Sequence, residues 1–257
     1  MTVAATVPAI GDAWEADGPA DAPPIVLLHG AILSRTMWRP LVALLRDRYR
    51  CISLDLPAHG TQAAEAFSVE AAVERVNELI AREAGGRAVL VGLSLGGYVA
   101  MAAAAASPDR VRGLVIAGAS LEPRGVWTFA FAAFGLALRI VPERFIRAVD
   151  ERLMRRLYGR AVVGEVLAGG YFARGGGRAV TRLARARFRV GLSRYGGPIL
   201  VINGDRDFIF SRTERQFTVG LARLTTLRLR GASHLSTLDR PAEVAAAIRD
   251  FEEAIGP

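Results

Sequence analysis

Lysine is absent from the 257 residues, cysteine occurs once, and histidine occurs three times. The lone Cys51 excludes a disulfide scaffold and any zinc site built on two or more thiolates; its apolar neighbours mark it as a strand-core residue. His29, His59 and His234, with no HExxH, leave too little material for a metal centre, so neither a metal nor an organic cofactor is expected. Residues 126–138 (VWTFAFAAFGLAL) form an uncharged apolar run of thirteen, short of the ~20 residues that span a bilayer. Met1–Gly11 carries neither the basic n-region nor the apolar h-region of a signal peptide, which reads as a soluble, cytoplasmic protein.

What is present is apolar residue in quantity. At 51% hydrophobic and 23% charged, the chain can bury a sizeable core, as one large α/β domain or two small ones. Disorder and collagen are excluded by the same mix. The net charge of +8 is carried by 33 arginines, and it is uneven. Between Arg139 and Arg194 stand fourteen arginines against Glu143, Asp150, Glu151 and Glu165, a local excess of +10 set against −2 for the remainder. Such a block reads as a solvated helical surface, and it also suits an acidic partner.

Short β-rich runs recur at Ile25–Leu28, Cys51–Leu54, Ala88–Leu93, Val111–Ala117, Ile199–Asn203 and Thr225–Leu229. Most are continuously apolar, as strands buried on both faces of a parallel sheet must be. Helical patterns fill the gaps at Met37–Arg46, Ser68–Glu83, Leu95–Ala106, Ser211–Ala222 and Pro241–Ile255, the last with Asp239 as a candidate cap. The alternation predicts a doubly wound, mostly parallel α/β sheet, with a weak edge strand or hairpin near Ala13–Ala16. It fails from about Glu122 to Tyr195, where aromatic helical runs, the clusters Gly169–Gly170 and Gly175–Gly177, and the arginines predict an inserted helical cap over residues 123–195. Residues 1–122 and 196–257 then form the core.

Gly92-Leu93-Ser94-Leu95-Gly96 lies between a predicted strand and a predicted helix. A serine on that sharp turn is held in a strained conformation at a helix N-terminus, whose free N–H groups can meet a developing oxyanion. A serine needs a base and an orienting acid to attack at neutral pH. His29 ends a core strand beside Gly30 and belongs to that turn. His59 lies in the loop Asp55-Leu56-Pro57-Ala58-His59-Gly60, a place for a structural hydrogen bond. His234 follows the last strand on a loop that can reach across the sheet edge, and is the candidate base. In Gly204-Asp205-Arg206-Asp207 either aspartate can serve as the acid.

These pieces, with Leu28-His29-Gly30-Ala31 and Gly231-Ala232-Ser233-His234, resemble the α/β-hydrolase superfamily in content and order across all but the cap and the N-terminal stretch. The resemblance implies Asp207 as the acid, since it ends a G-x-x-D turn. It implies an oxyanion hole from the backbone N–H groups of Ala31 and Leu95, with Ile32 ranked behind Ala31 as the first of these donors. Some relatives take the acid from the loop after the next strand, where Glu122 stands. Ala58 replaces the usual glycine of D-x-P-G-H-G. A serine nucleophile argues against the dehalogenase and epoxide-hydrolase branches, and no Trp follows it as in perhydrolases and proline iminopeptidases.

Within the cap, Trp127, Phe131 and Phe134 fall at i, i+4 and i+7, one helical face that can dock the cap or wall a lipophilic pocket. The same run can lie on an anionic lipid surface, and the arginines also suit an acidic carrier protein. The expected activity is hydrolysis of a hydrophobic carboxylic ester or thioester by Ser94, His234 and Asp207 through an acyl-enzyme. Carbon–carbon bond hydrolysis, acyl transfer or cyclisation on the same residues is the alternative within enzymes, and ligand binding without catalysis the alternative outside them. Nucleic acid is not an expected partner, because only charge favours it.

Overall fold

The computed structural model describes residues 12–256, so the reading of Met1–Gly11 lies outside the described residues. Seven strands form one sheet: β1 (Trp14–Asp17), β2 (Pro24–Leu28), β3 (Arg50–Leu54), β4 (Ala88–Leu93), β5 (Val111–Ala117), β6 (Ile199–Gly204) and β7 (Leu224–Leu229). Their spatial order is β1-β3-β2-β4-β5-β6-β7. β1 runs antiparallel to β3, and all other pairs are parallel.

The apolar strand runs follow from burial on both faces. Ile25, Leu27, Val89, Val91 and Leu200 face a cluster completed by α1 (Arg39–Leu45) and α10 (Pro241–Ile255). Val26, Leu28, Leu90, Leu114 and Val201 face the opposite layer, with α2 (Val69–Glu83) and α3 (Leu95–Ala106). Alternate residues thus serve alternate layers, which leaves no room for a polar period. Cys51 is one of these buried strand residues. β7, at the sheet edge, is half exposed and correspondingly less apolar.

Three boundaries depart from the sequence reading. The span Met37–Arg46 divides into a 3₁₀ turn, Arg35–Trp38, and α1, because Pro40 suits the first turn of a new helix rather than an interior. The helix expected at Ser211–Ala222 is α8 (Phe210–Thr218); Gly220, at φ +80°, follows where the chain turns out of the helix. Asp239 does not cap α10. It ends the short α9 (Ser236–Asp239), and its carboxylate accepts from Ser233 N, Ser233 Oγ and the Tyr158 hydroxyl instead.

Four helices lie between β5 and β6: α4 (Val126–Ile140), α5 (Glu143–Val166), α6 (Ala173–Leu183) and α7 (Phe188–Leu192). α5 breaks at Gly159, where φ is +82°. The glycine cluster 175–177 lies within α6, despite the poor helix propensity of glycine. Side chains there would collide with Ala58 O, Ala31 O and Gly135 O respectively, so tertiary approach overrides propensity and seats α6 directly on the core loops and on α4.

The strand order reverses between β2 and β4, with β3 reached on one side and β5 on the other. In doubly wound sheets the crevice beyond the strand ends at such a switch point is where ligands bind. Ala31 and Ser94 follow those two strands.

Candidate active site

Ser94 joins β4 to α3 with φ +52° and ψ −114°, in the left-handed half of the map that non-glycine residues rarely occupy. The turn is held from several directions. Ser94 N donates to Ala117 O at 2.8 Å, and a side chain at Gly92 would strike Gly96 O. One at Gly96 would strike Leu28 O, and a Cβ on Gly97 would come within 2.7 Å of the Ala119 methyl. The glycines that flank the serine are therefore required by contact between neighbouring backbones, and the strain at Ser94 is maintained by its surroundings.

His234 lies on the loop after β7. It donates from Nδ1 to Asp207 Oδ2 at 2.7 Å, a charge-assisted distance. Asp207, on the turn after β6, is buried, and its other oxygen accepts from Phe210 N at 3.3 Å. The Phe210 ring stacks on the His234 imidazole, with centroids 5.1 Å apart and planes 26° apart. Gly118 lies beneath the imidazole: a Cβ there would stand 2.9 Å from Cε1 and 3.0 Å from Nδ1, and φ is +56°. The histidine is thus fixed in plane by a carboxylate, a ring and a glycine.

The other two acids do not share this geometry. Asp205 turns to the surface and accepts from Gly231 N at 2.8 Å. Glu122 uses both oxygens on the N-terminus of α7, accepting from Phe188 N at 3.1 Å and Arg189 N at 2.9 Å.

A cavity of about 300 Å³ connects the pieces. Ser94, Asp207, His234, Ala31 and Leu95 contribute to its wall beneath a predominantly apolar lining that includes Trp127, Phe131 and Phe134. Leu95 N and Ala31 N donate to no acceptor among the described residues, and both belong to segments that border the cavity. The Ser94 hydroxyl likewise has no hydrogen-bond partner among the described residues and is free to rotate; serine–base hydrogen bonds commonly tighten only when substrate enters. Tyr98, Val180, Leu183, Ile209 and Phe210 also line the cavity, and sequence reasoning did not reach them because they converge from separate elements.

His29 and His59 hold the loop that carries Ala31. His29 donates from Nδ1 to Gly30 O at 2.9 Å and accepts from Leu56 N at 3.0 Å, which fixes its neutral tautomer. His59 Nε2 lies 2.6 Å from Ala31 O, and its Nδ1 lies 3.0 Å from Pro57 O. Burial pushes both imidazoles below their ordinary pKa, His29 the further because His59 and Arg35 also oppose its protonation. Asp55 anchors the same loop through Arg35 and accepts from Arg35 N and Thr61 N. Ala58 adopts φ +70°, the conformation that the family's usual glycine accepts without a Cβ penalty.

Residues 25–247 match the alpha/beta hydrolase family. The chain belongs to it. It is accordingly a hydrolase. Among curated proteins it is 30% identical to the pimeloyl-[acyl-carrier protein] methyl ester esterase of Stenotrophomonas maltophilia, over 91% of this chain and 95% of that protein. It is 25% identical to 3-oxoadipate enol-lactonase 1 of Acinetobacter baylyi, over 93% and 92%. In fold it is similar to a thermophilic esterase from Thermogutta terrifontis, with a TM-score of 0.78 and 24% identity over 95% of this chain and 94% of that one.

Proposed function

We propose that the protein is a serine esterase for substrates with a hydrophobic acyl or alcohol part, and that Ser94, His234 and Asp207 carry the chemistry. The observation behind this reading is the 2.7 Å His234–Asp207 pair bordering the same apolar cavity as a serine on a strained strand–helix turn. The names of the relatives from Stenotrophomonas and Acinetobacter, an ester esterase and an enol-lactonase, point the same way.

In this mechanism Ser94 Oγ attacks the ester carbonyl while His234 Nε2 removes its proton. Asp207 holds the Nδ1–H tautomer and stabilises the imidazolium that forms. The carbonyl oxygen, now an anion, accepts from the N–H groups of Ala31 and Leu95; one such donor is typically worth ~10²–10³ in turnover. The C–O bond breaks as His234 returns its proton to the leaving alcohol. Water, deprotonated by the same imidazole, then attacks the acyl-enzyme and releases the acid and Ser94. The residues of the chain supply every group that these steps require.

Residues 123–195 act in this reading as a cap over the core formed by 1–122 and 196–257. Trp127, Phe131 and Phe134 form the part of the cap wall that sorts substrates by apolar fit. A chain-length series of p-nitrophenyl esters tests the proposal, with wild type beside Ser94→Ala. Turnover by wild type that rises to a preferred length and vanishes in a folded Ser94→Ala supports it. Turnover retained by the variant removes Ser94 from the mechanism.

A further inference from the structure

α4 is apolar on every side. Thr128 and Arg139 are its only polar residues, yet one face alone is buried. The inner face supplies Trp127, Phe131 and Phe134 to the cavity wall. The outer face exposes Val126, Phe129, Leu136 and Ile140, at i, i+3, i+10 and i+14, with Phe129 77% exposed. A helix that is hydrophobic all round normally lies in a core or a membrane, and this one has solvent on its outer half.

The apolar surface continues past the turn into α5. Phe145, Val149, Leu153 and Leu157 recur every fourth residue and are all exposed. Ten of the fourteen exposed large hydrophobic side chains among the described residues fall between 126 and 157; leaving aside Phe134, which lines the cavity, the other nine make the patch a feature of this helix pair and not a general property of the surface. Arginines are interleaved with the α5 stripe. Glu151 is taken by Arg147 and Arg155, and Asp150 by the Tyr171 hydroxyl. Arg152, Arg156 and Arg160 pair with no acid among the described residues, and with Arg155 they line one shallow groove.

We propose that the outer face of α4 and α5 docks on an anionic lipid surface, with the apolar stripe in the acyl boundary and Arg152, Arg156 and Arg160 on the headgroups. Charge selects this occupant. A second copy of the chain would bring the same unpaired arginines face to face across a two-fold axis. An acidic protein would satisfy the arginines and leave the stripe of Phe129 and Ile140 wet. A negatively charged bilayer covers both, as it does for basic amphipathic helices generally. No helix among the described residues is long and apolar enough to cross a membrane, so the contact is peripheral. Docking would hold the lipid about one helix diameter, ~10–12 Å, from the cavity that α4 walls on its other side.

The test is co-sedimentation of the full chain with vesicles of phosphatidylcholine alone and of equal parts phosphatidylcholine and phosphatidylglycerol. Binding to the anionic vesicles that fades with salt is expected. Replacing Arg152, Arg156 and Arg160 by Gln together should weaken it about 100-fold, and Phe129→Ser about tenfold. Far-ultraviolet circular dichroism checks that both variants are folded. Ser94→Ala should bind like wild type, so failure of the esterase reading leaves this result standing. The proposal is overturned by equal binding to both vesicle types or by binding that is indifferent to the arginines. It is also overturned by absence of binding at low salt, whether the patch then supports a Phe129-dependent dimer or retention on an acidic protein.

Discussion

Gly118→Ala offers a sharp probe of His234, because its two effects can be separated. The first is conformational: φ is +56°, where an alanine costs about 1–2 kcal/mol. The second is steric. The new methyl would stand 2.9–3.0 Å from Cε1 and Nδ1 of the imidazole, against ordinary carbon contacts of about 3.5–4.0 Å, so the ring must retreat by roughly half an ångström or more. Phe210 stacked on the imidazole and Asp207 at Nδ1 restrict where it can go. Displacement of a reacting group by about 1 Å can cost ~10² in rate, so kcat on a p-nitrophenyl ester should fall about 10²-fold. Gly85→Ala supplies the control, since it has a closely similar φ of +61° and nothing within 4 Å of the added methyl. Both variants should lose about 1–2 kcal/mol in urea unfolding, and only Gly118→Ala should lose catalysis. Normal turnover in Gly118→Ala, with the stability loss of the control, would refute the placement of His234 as the base.

Other substitutions and conditions discriminate further. Asp207→Asn should lower kcat by about 10⁴ by disturbing the tautomer of His234, whereas Asp205→Asn, which touches only Gly231 N at the surface, should change it by less than about tenfold; equal losses would return the acid to open assignment. Phe131→Ala should reduce kcat/KM for long esters at least about tenfold more than for acetate, and a uniform drop would make the residue part of the packing alone. Burial and the bond that His29 Nε2 accepts from Leu56 N keep His29 neutral in the native state, while in the unfolded chain it takes up a proton below about pH 6.5. Stability should therefore fall by about 1–2 kcal/mol between pH 7 and pH 5.5, read from urea midpoints, and a midpoint that is flat or rises on acidification contradicts the neutral assignment.

The parallel sheet was legible because strands buried on both faces must be apolar throughout, and most of those of this chain are separated by helical runs. The serine turn was legible because its glycines crowd around Ser94 in one short stretch, although only the contact that requires Gly92 is local in sequence and those at Gly96 and Gly97 are made with Leu28 and Ala119. Gly118 was not legible, because its requirement comes from a histidine more than a hundred residues away. Phe210 was assigned to no role because the histidine it stacks on lies on a separate loop, beyond β7. The face of Trp127, Phe131 and Phe134 could be read from period alone, but the second stripe through Phe129 and Ile140 could not. A helix with only two polar residues gives no asymmetry by which to tell wall from surface. The glycines 175–177 were legible as part of a helical cap but not as the interior of a helix, since the close backbone approach that overrides their poor propensity comes from Ala58, Ala31 and Gly135.

The most direct measurement of the central claim is reaction of the wild-type protein with a fluorophosphonate, followed by intact-mass analysis and mapping of the modified peptide. One adduct per chain, placed on Ser94, blocked by a competing hydrophobic ester and lost in Asp207→Asn or His234→Ala, is the predicted result. An adduct on another residue, or a folded protein that stays unmodified while it cleaves esters, would contradict the assignment of Ser94 as the nucleophile.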